Sequence, residues 1–298
     1  MTQPQDTIVL VGHGSREEPG NQEIRDFVAR WRARQPGWRI EVCFIEFAPP
    51  GLHDGLLQAA RNAQRVLVLP LILNAAGHVK MEIPEAIEHA RQHCPDTEFL
   101  YGPHLAACDP ILAILKRKLR QAMAELDMPD PTTTGVVLLG RGSSDRGANG
   151  EMAKMTRWLQ EETEHELVDL AFTGITWPRL ERVVQRQALL GMTQIVVLPY
   201  YLYTGTLMQR IGRQVAHLRA QYPRIRFAHS EHFGFEKEIF ELLEQRVADL
   251  RAGLPGARLP CDGCKFREIA HDLGHGHSHE HTHAPAALAG PAVEAQPA

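Results

Sequence analysis

Two histidines and one glutamate, far apart along the chain, have the side-chain types that bind a divalent metal ion. His13 stands in a Gly-His-Gly-Ser turn, Glu46 follows a short apolar run, and His78 follows an Ala-Ala-Gly segment. Neutral imidazole and carboxylate both coordinate ions from the middle of the first transition row. Taken singly, His13 could bond locally in its turn and Glu46 could be a solvated loop carboxylate. The hypothesis of a metal site therefore requires the three groups to meet in space.

Short apolar runs predict the strands that would bring these groups together. The runs are bounded by Gly, Pro or polar residues, as strands buried on both faces are. They are Ile8–Val11, Val42–Ile45, Val66–Leu69 and Phe99–Tyr101. Apolar residues at helical spacing lie between them, so the strands need crossover connections and should form a mostly parallel sheet with helices on both faces. Since ligands bind at the carboxyl ends of such strands, the three groups should converge there.

The chain contains this pattern twice. Ile8 aligns with Val136 at an offset of 128 residues, Val66 with Ile195 at 129, and Pro95 with Pro223 at 128 again. One residue is therefore inserted and later removed, which we interpret as a change in loop length. We predict an α/β fold with two tandem duplicated domains, each a mostly parallel four-stranded sheet flanked by helices. The predicted domains are residues 1–128 and 129–256.

The duplication does not include the three metal-binding groups. The positions that correspond to His13, Glu46 and His78 hold Arg141, Gly174 and Leu207. A residue needed for the fold of one half should be useful in the other half as well. Because all three groups are absent together from the second half, the sequence favours a single site that the first half forms and the second half covers.

Composition excludes several classes of protein. The chain has 298 residues, of which 44% are hydrophobic, and only five are cysteines, so it is neither wholly disordered nor a disulfide scaffold. A net charge of −4 gives no basic field for nucleic acid or anionic lipid. No apolar run approaches the ~20 residues of a membrane span, and the first residues lack a signal-peptide core. We expect a cytoplasmic protein with no nucleic-acid or membrane partner, which disfavours a periplasmic-type binding protein.

Residues 257–298 form a predicted flexible tail that is rich in possible metal ligands. Six of the 16 histidines lie between positions 271 and 283. The candidate ligands in the tail are Cys261, Cys264, His275, His277, His279, His281 and His283. The alternating histidines suit a store or delivery arm for a divalent metal, with a purification tag as the alternative. The cysteine pair suits Zn²⁺ or half of an iron–sulfur cluster, and two chains of a homodimer would have to pool their pairs to complete such a cluster.

Three motifs resemble those of the CbiX family. They are Val-Gly-His-Gly-Ser-Arg at 11–16, Phe-Ile-Glu-Phe at 44–47, and Leu-Pro-Leu-Ile-Leu-Asn-Ala-Ala-Gly-His-Val-Lys at 69–80. This family comprises sirohydrochlorin cobaltochelatases, class II chelatases related to the protoporphyrin ferrochelatases. The resemblance covers about residues 6–250, and the histidine-rich tail and Cys-x-x-Cys resemble the long form of the family. In one departure, Leu259 stands where the long form often has Met, two residues before the first Cys.

The resemblance implies a lyase that inserts Co²⁺ into sirohydrochlorin, with release of two protons, in cobalamin biosynthesis. It implies that His13 and His78 handle the metal and that Glu46 is their acidic partner in catalysis. Because sirohydrochlorin carries eight carboxylates, its pocket should contain cations and hydrogen-bond donors. The expected substrate-binding residues are Ser15, Lys80, Arg141, Ser143 and Arg146, with a solvated surface charge as the alternative for each arginine. Two other functions stay open: insertion of Fe²⁺ for siroheme synthesis, and a non-catalytic metal chaperone or store.

Overall fold

The computed structural model describes residues 6–254, which fold as two similar βα repeats. The first repeat contains β1 (Asp6–Gly12), α1 (Glu18–Arg34), β2 (Arg39–Phe44), α2 (Leu52–Ala60), β3 (Arg65–Pro70), a π-helical turn (His78–Glu82), α3 (Ile83–His93), β4 (Glu98–Tyr101) and α4 (Asp109–Met123). The second contains β5 (Thr134–Gly140), α5 (Arg146–Glu161), β6 (Val168–Phe172), α6 (Leu180–Leu189), β7 (Gln194–Pro199), α7 (Thr206–Gln221), β8 (Arg226–His229) and α8 (Lys237–Ala252). Within residues 6–254, no helix has the length and apolar character to cross a membrane.

Each repeat contributes one parallel four-stranded sheet, which confirms the predicted fold class. The strand orders are β2-β1-β3-β4 and β6-β5-β7-β8, and every pairing is parallel. The apolar runs form strands because both sheet faces are covered. In β1, Ile8 and Leu10 join one apolar cluster while Val9 and Val11 join another. Successive side chains of a strand point to opposite faces, so an uninterrupted apolar run needs helices on both sides.

Three apolar layers hold the molecule together. The largest layer lies between the two sheets and includes buried residues of α1, α4, α5 and α8 together with residues of both sheets. The two outer layers cover the other face of each sheet, with α2 and α3 on the first sheet and α6 and α7 on the second. The two repeats therefore share one central core and do not fold as separate units.

The last helix of each repeat is exchanged between the halves. Helix α4, from the first repeat, packs against α5, β7 and β8 of the second, while α8 packs against β3 of the first. Phe240 of α8 stacks on Phe27 of α1 at a ring-centroid distance of 4.1 Å. Arg246 of α8 donates hydrogen bonds to the carbonyl oxygens of residues 103–105. The boundary between residues 128 and 129 remains a prediction, and the structure shows that neither repeat covers its own sheet alone.

A candidate metal centre between the two halves

The topology brings the three predicted metal-binding groups to one edge of the first sheet. In the order β2-β1-β3-β4, the chain direction across the sheet reverses between β1 and β3. Loops that leave such a switch point diverge and open a crevice at the carboxyl ends of the strands. His13 follows β1, Glu46 follows β2, and His78 lies in the segment after β3. All three therefore border this crevice.

Gly14 allows the loops that carry His13 and Glu46 to touch. The backbone N–H of Glu46 donates to the carbonyl oxygen of His13 at 3.0 Å. Gly14 has φ +85°, and a Cβ atom at this position would lie 1.8 Å from the carbonyl oxygen of Glu46. Only glycine fits this left-handed, close-packed position without displacing the neighbouring loop. The glycine after His13 thus sets the separation between the imidazole and the carboxylate.

The three side chains converge within reach of a single ion. Oε1 of Glu46 lies 3.4 Å from Nε2 of His78 and 3.9 Å from Nε2 of His13. The two imidazole rings meet edge to face with centroids 4.6 Å apart. One ligand atom from each residue lies within 4.8 Å of the other two, and each side chain is about one third exposed. The set offers two neutral nitrogens and one carboxylate oxygen, which suits a divalent transition metal that enters from solvent.

Both imidazoles have neighbours that orient them. Nδ1 of His13 donates to the carbonyl oxygen of Gly14 at 3.1 Å, and this bond leaves Nε2 as the lone-pair nitrogen that faces Glu46. Nδ1 of His78 lies 2.8 Å from Oε1 of Glu82. A partner near the far ring nitrogen is a common feature of metal-binding histidines, because it helps to hold the orientation of the ring.

The charge state of His13 also suits a metal ligand. Burial lowers the pKa of His13 below its ordinary value of 6.5, and the neighbouring His78 and Arg141 lower it further. The hydrogen bond to Gly14 and the Glu46 carboxylate act in the opposite direction but do not reverse the shift. A depressed pKa keeps the imidazole neutral at neutral pH, so Nε2 can coordinate an ion or accept a proton.

His78 lies on a π-helical turn that accounts for part of the shift in the repeat offset. Pro70 and Pro199, which end β3 and β7, are 129 residues apart, whereas His93 and Gln221, which end α3 and α7, are 128 apart. The first half therefore has one extra residue in this segment, and the helix accommodates it as the turn from His78 to Glu82. The interpretation of this change as a loop-length difference was wrong. A residue inserted into a helix widens one turn locally and leaves the following turns in register.

A cavity of about 380 Å³ adjoins the metal-binding trio and is lined by both halves. The first half contributes His13, Gly77 and His78, and the second contributes Arg141, Ser143 and Tyr200. Of the residues predicted to bind substrate, Arg141 and Ser143 line this cavity. The hydroxyl oxygen of Ser143 accepts a hydrogen bond from the backbone N–H of Asp145, which holds the turn before α5.

The other three predicted substrate-binding residues lie outside the cavity lining. Lys80 forms an ion pair with Asp145, which caps α5 and whose pKa this lysine lowers, so Lys80 links the two halves. Arg146 is exposed at the first residue of α5. The hydroxyl oxygen of Ser15 accepts a hydrogen bond from the backbone N–H of Glu17. The structure therefore does not gather the predicted substrate-binding set into one place.

Two residues near the site were not singled out from the sequence. Glu82 could have been found, since it lies four residues after His78, a spacing that places two side chains on one side of a helix. No spacing or motif in the sequence identifies Tyr200, because tyrosine is a common residue at the end of a strand. Its side chain is buried beside the cavity, and burial raises the pKa of its phenol. The predicted tail ligands from Cys261 to His283 lie outside the described residues.

Comparisons with known proteins agree with this architecture. The CbiX family model matches residues 7–122 and again residues 135–250. A sirohydrochlorin cobaltochelatase of Priestia megaterium is 36% identical over 267 residues, which is 88% of this chain and 84% of the relative. A sirohydrochlorin ferrochelatase of Bacillus subtilis (strain 168) is 28% identical over 266 residues, 89% of this chain and 98% of the relative.

A solved structure has the same fold. The structure described as SirB from Bacillus subtilis with Fe³⁺ superimposes with a TM-score of 0.71 at 28% identity, over 83% of this chain and 96% of that chain. The family model covers both halves, each including the strands and helices that carry the cleft. The resemblance first seen in three short motifs is thereby confirmed across most of the sequence, and the chain belongs to the CbiX family.

Proposed function

We propose that this protein is a sirohydrochlorin chelatase that inserts a divalent ion, Co²⁺, into the macrocycle for cobalamin biosynthesis. The observation that carries the proposal is the convergence of His13, Glu46 and His78 to within 4.8 Å at the border of a cavity lined by both halves. Metal insertion requires that the ion lose water and that two pyrrole N–H protons leave as the ion enters. The trio supplies ligands for the first requirement and proton acceptors for the second.

The two imidazoles and the carboxylate divide these tasks by their surroundings. His78, with Glu82 2.8 Å from its far nitrogen, is the proposed ligand that holds the ion over the macrocycle. His13 is kept neutral by its lowered pKa, so its Nε2 either ligates the ion or accepts a pyrrole proton. Glu46 lies within 4 Å of both rings and offsets positive charge as the ion is desolvated. The products are the metallated macrocycle and two protons passed to solvent.

Arg141 and Ser143 are the proposed carboxylate-binding residues, because they line the same cavity as His13 and His78. A guanidinium group binds a carboxylate through two parallel hydrogen bonds, which fixes the orientation of the macrocycle. The contributions of Ser15, Lys80 and Arg146 remain predictions from the family resemblance. Lys80 is engaged by Asp145, so its ammonium would need to exchange partners before it could bind substrate.

We propose Co²⁺ as the inserted metal, and not Fe²⁺, because the more similar of the two relatives is a cobaltochelatase. The cobaltochelatase of Priestia megaterium is 36% identical, against 28% for the ferrochelatase of Bacillus subtilis. The second relative still favours iron insertion for siroheme as the alternative, since it is matched over 98% of its length. The types of ligand do not distinguish Co²⁺ from Fe²⁺, because a site of imidazole and carboxylate binds Fe²⁺, Co²⁺ and Ni²⁺ with affinity that rises in that order.

Anaerobic metallation assays test the proposal. Purified protein is mixed with sirohydrochlorin and Co²⁺, Fe²⁺ or Ni²⁺ separately, and the absorbance of the macrocycle is followed against an enzyme-free blank. We expect the largest acceleration with Co²⁺. A larger acceleration with Fe²⁺ would support the siroheme alternative, and rates equal to the blank for all three ions would refute chelatase activity. A protein that lacks residues 257–298 should retain its rate at saturating metal, whereas a metal store would lose its function.

A further inference from the structure

Three histidines on α2 and α3 form a second group of imidazoles, which we call the α2–α3 histidine cluster. His53 lies in α2, and His89 and His93 lie four residues apart in α3. The ring centroids of His53 and His89 are 4.9 Å apart, and those of His89 and His93 are 4.2 Å apart. His53 and His93 are exposed and His89 is half-buried, so the cluster can be reached from solvent.

We propose that this cluster binds one divalent transition-metal ion in addition to the ion handled in the cleft. Histidines four residues apart on a helix lie on one side, one turn apart, and can ligate the same ion. Rings that share one ion at nitrogen distances of about 2.0–2.1 Å have centroids roughly 4.5–5.2 Å apart, for angles at the ion from a right angle to tetrahedral. The 4.9 Å between the perpendicular rings of His53 and His89 is within this range. The 4.2 Å between His89 and His93 is shorter, with the ring planes 34° apart, so these two rings must open slightly to share an ion.

A hydrogen bond already prepares His93 for this role. Nδ1 of His93 lies 2.8 Å from the carbonyl oxygen of His89, and only a protonated Nδ1 can donate to a carbonyl. The proton on Nδ1 leaves the lone pair on Nε2, the nitrogen available to a metal. Metal-binding histidines commonly donate their other ring nitrogen to a backbone carbonyl in this way.

The cluster differs from the cleft trio in how far its ligand atoms have converged. Among residues 6–254, the cleft trio is the group of His, Cys, Asp or Glu residues whose ligand atoms all lie within 4.8 Å of one another. The cluster has neighbouring rings but needs rotation of the imidazoles about χ2 to point three nitrogens at one ion. Rotation about this bond is broad and inexpensive for histidine, so the exposed His53 can turn toward the ion while the bond to the carbonyl oxygen of His89 holds His93 in place.

The cluster is separate from the cleft and has no full counterpart in the second half. Eleven residues of helix between His78 and His89 correspond to about 16 Å at 1.5 Å per residue. Aligned through the ends of α3 and α7, the positions of His89 and His93 correspond to His217 and Gln221. His217 is exposed on α7 and provides a matched control. The proposal stands apart from the proposed function, since metal binding here requires no macrocycle.

Calorimetric titration with Ni²⁺ tests the proposal in the full-length chain. The reference protein carries His13→Ala in the cleft and His→Asn at positions 275, 277, 279, 281 and 283, so that other imidazole sites contribute little heat. To it we add either the triple change His53→Ala, His89→Ala and His93→Ala, or His217→Ala as the control. We expect the triple variant to bind one equivalent less than the reference protein, and the control to match the reference protein.

Two further measurements keep the proposal testable if the triple variant does not fold. The single change His93→Gln, at an exposed position, should weaken the same equivalent by at least about tenfold, because one of three ligands is removed. Crystals of the unaltered protein soaked in Ni²⁺ should show an anomalous peak between the three rings. Equal stoichiometry in the reference and triple variants, unchanged affinity in His93→Gln, or an anomalous map without that peak would each overturn the proposal.

Discussion

The first loops of the two halves have the same backbone but different chemistry. Gly14 and Gly142 have φ values of +85° and +84° at equivalent positions. In each loop the side-chain amide of an asparagine, Asn21 or Asn149, both accepts a hydrogen bond from a serine N–H and donates one to the same serine's carbonyl oxygen. The glycine and the asparagine therefore belong to the scaffold, because both halves need them.

The side chains that face the cleft are what distinguish the halves. In the first half they are His13, Glu46 and His78, and the corresponding positions hold Arg141, Gly174 and Leu207. Under the proposed function, the same turn presents an imidazole to the metal in one half and a guanidinium to the anionic substrate in the other. The comparison shows that a duplicated scaffold can carry different cleft-facing side chains in its two copies, and we propose that one copy binds the metal and the other the macrocycle.

Removal of the imidazoles of His13 and His78 should have the largest effect on metallation activity. We expect the double variant His13→Ala and His78→Ala to lower kcat/KM for metallation by about 10³-fold or more, because a positioned proton acceptor alone contributes about 10²–10⁴-fold. Leu207→Ala, at the position that corresponds to His78, should change the rate by less than about threefold. The anaerobic absorbance assay measures both. A double variant within about tenfold of the unaltered enzyme would contradict the assignment of the first half as the metal side.

Loss of the carboxylate behind His78 should have the next largest effect. Glu82→Gln removes the negative charge 2.8 Å from Nδ1 of His78, so the imidazole loses a neighbour that helps to hold its orientation. Partners of this kind are worth about 10–100-fold in metal affinity or activity. We expect KM for the metal ion to rise by about tenfold, with a smaller change in kcat. An unchanged KM for the metal would show that Glu82 is a surface residue without influence on His78.

Arg141→Gln should weaken the binding of sirohydrochlorin. A charge-assisted hydrogen bond contributes about 1.5–3 kcal/mol, so we expect KM for sirohydrochlorin to rise by about tenfold or more while KM for the metal stays constant. Arg146→Gln is the matched control, because Arg146 lies outside the cavity lining. If both variants behave alike, the cavity does not select between these two arginines and the proposed division of labour fails.

The smallest expected effect is a shift in the pH profile of the Arg141→Gln variant. The pKa of His13 lies below 6.5, so activity should be lost as the pH falls through that lowered value and the proton displaces the metal. Arg141 lowers this pKa but is the weakest of its causes, after burial and after His78 and Glu46. In Arg141→Gln the pKa of His13 should rise, and the acid limb of the kcat/KM profile should move slightly to higher pH. A shift to lower pH would contradict the sign of this interaction.

The sequence was sufficient to predict the strands, the duplication and the convergence of three groups. Strand ends and the direction of a parallel sheet determine where residues such as His13 and His78 must lie, and both quantities can be inferred from short apolar runs. The exchange of α4 and α8 could not be inferred in this way. The apolar stripes of these helices show that one face is buried, but both sheets offer the same kind of surface to cover.

Lys80 and His78 show two other limits of sequence reasoning. The motif places Lys80 beside the cleft, but its ion pair with Asp145 depends on how the two halves dock. The extra residue near His78 was visible as a change of offset, yet insertions are common in loops and rare in helices. Only coordinates reveal that this residue widens a helical turn.

The exchanged helices have a consequence for anyone who dissects the chain. If the polypeptide is cut at the junction between the repeats, α4 stays with the first fragment although it packs on the second sheet. Helix α8 stays with the second fragment although it packs on the first sheet. Each fragment would expose to water the apolar sheet surface that the exchanged helix covers, and exposed apolar surface promotes aggregation. The two pieces should therefore be recovered intact only when they are produced together and can reassemble through the reciprocal helices.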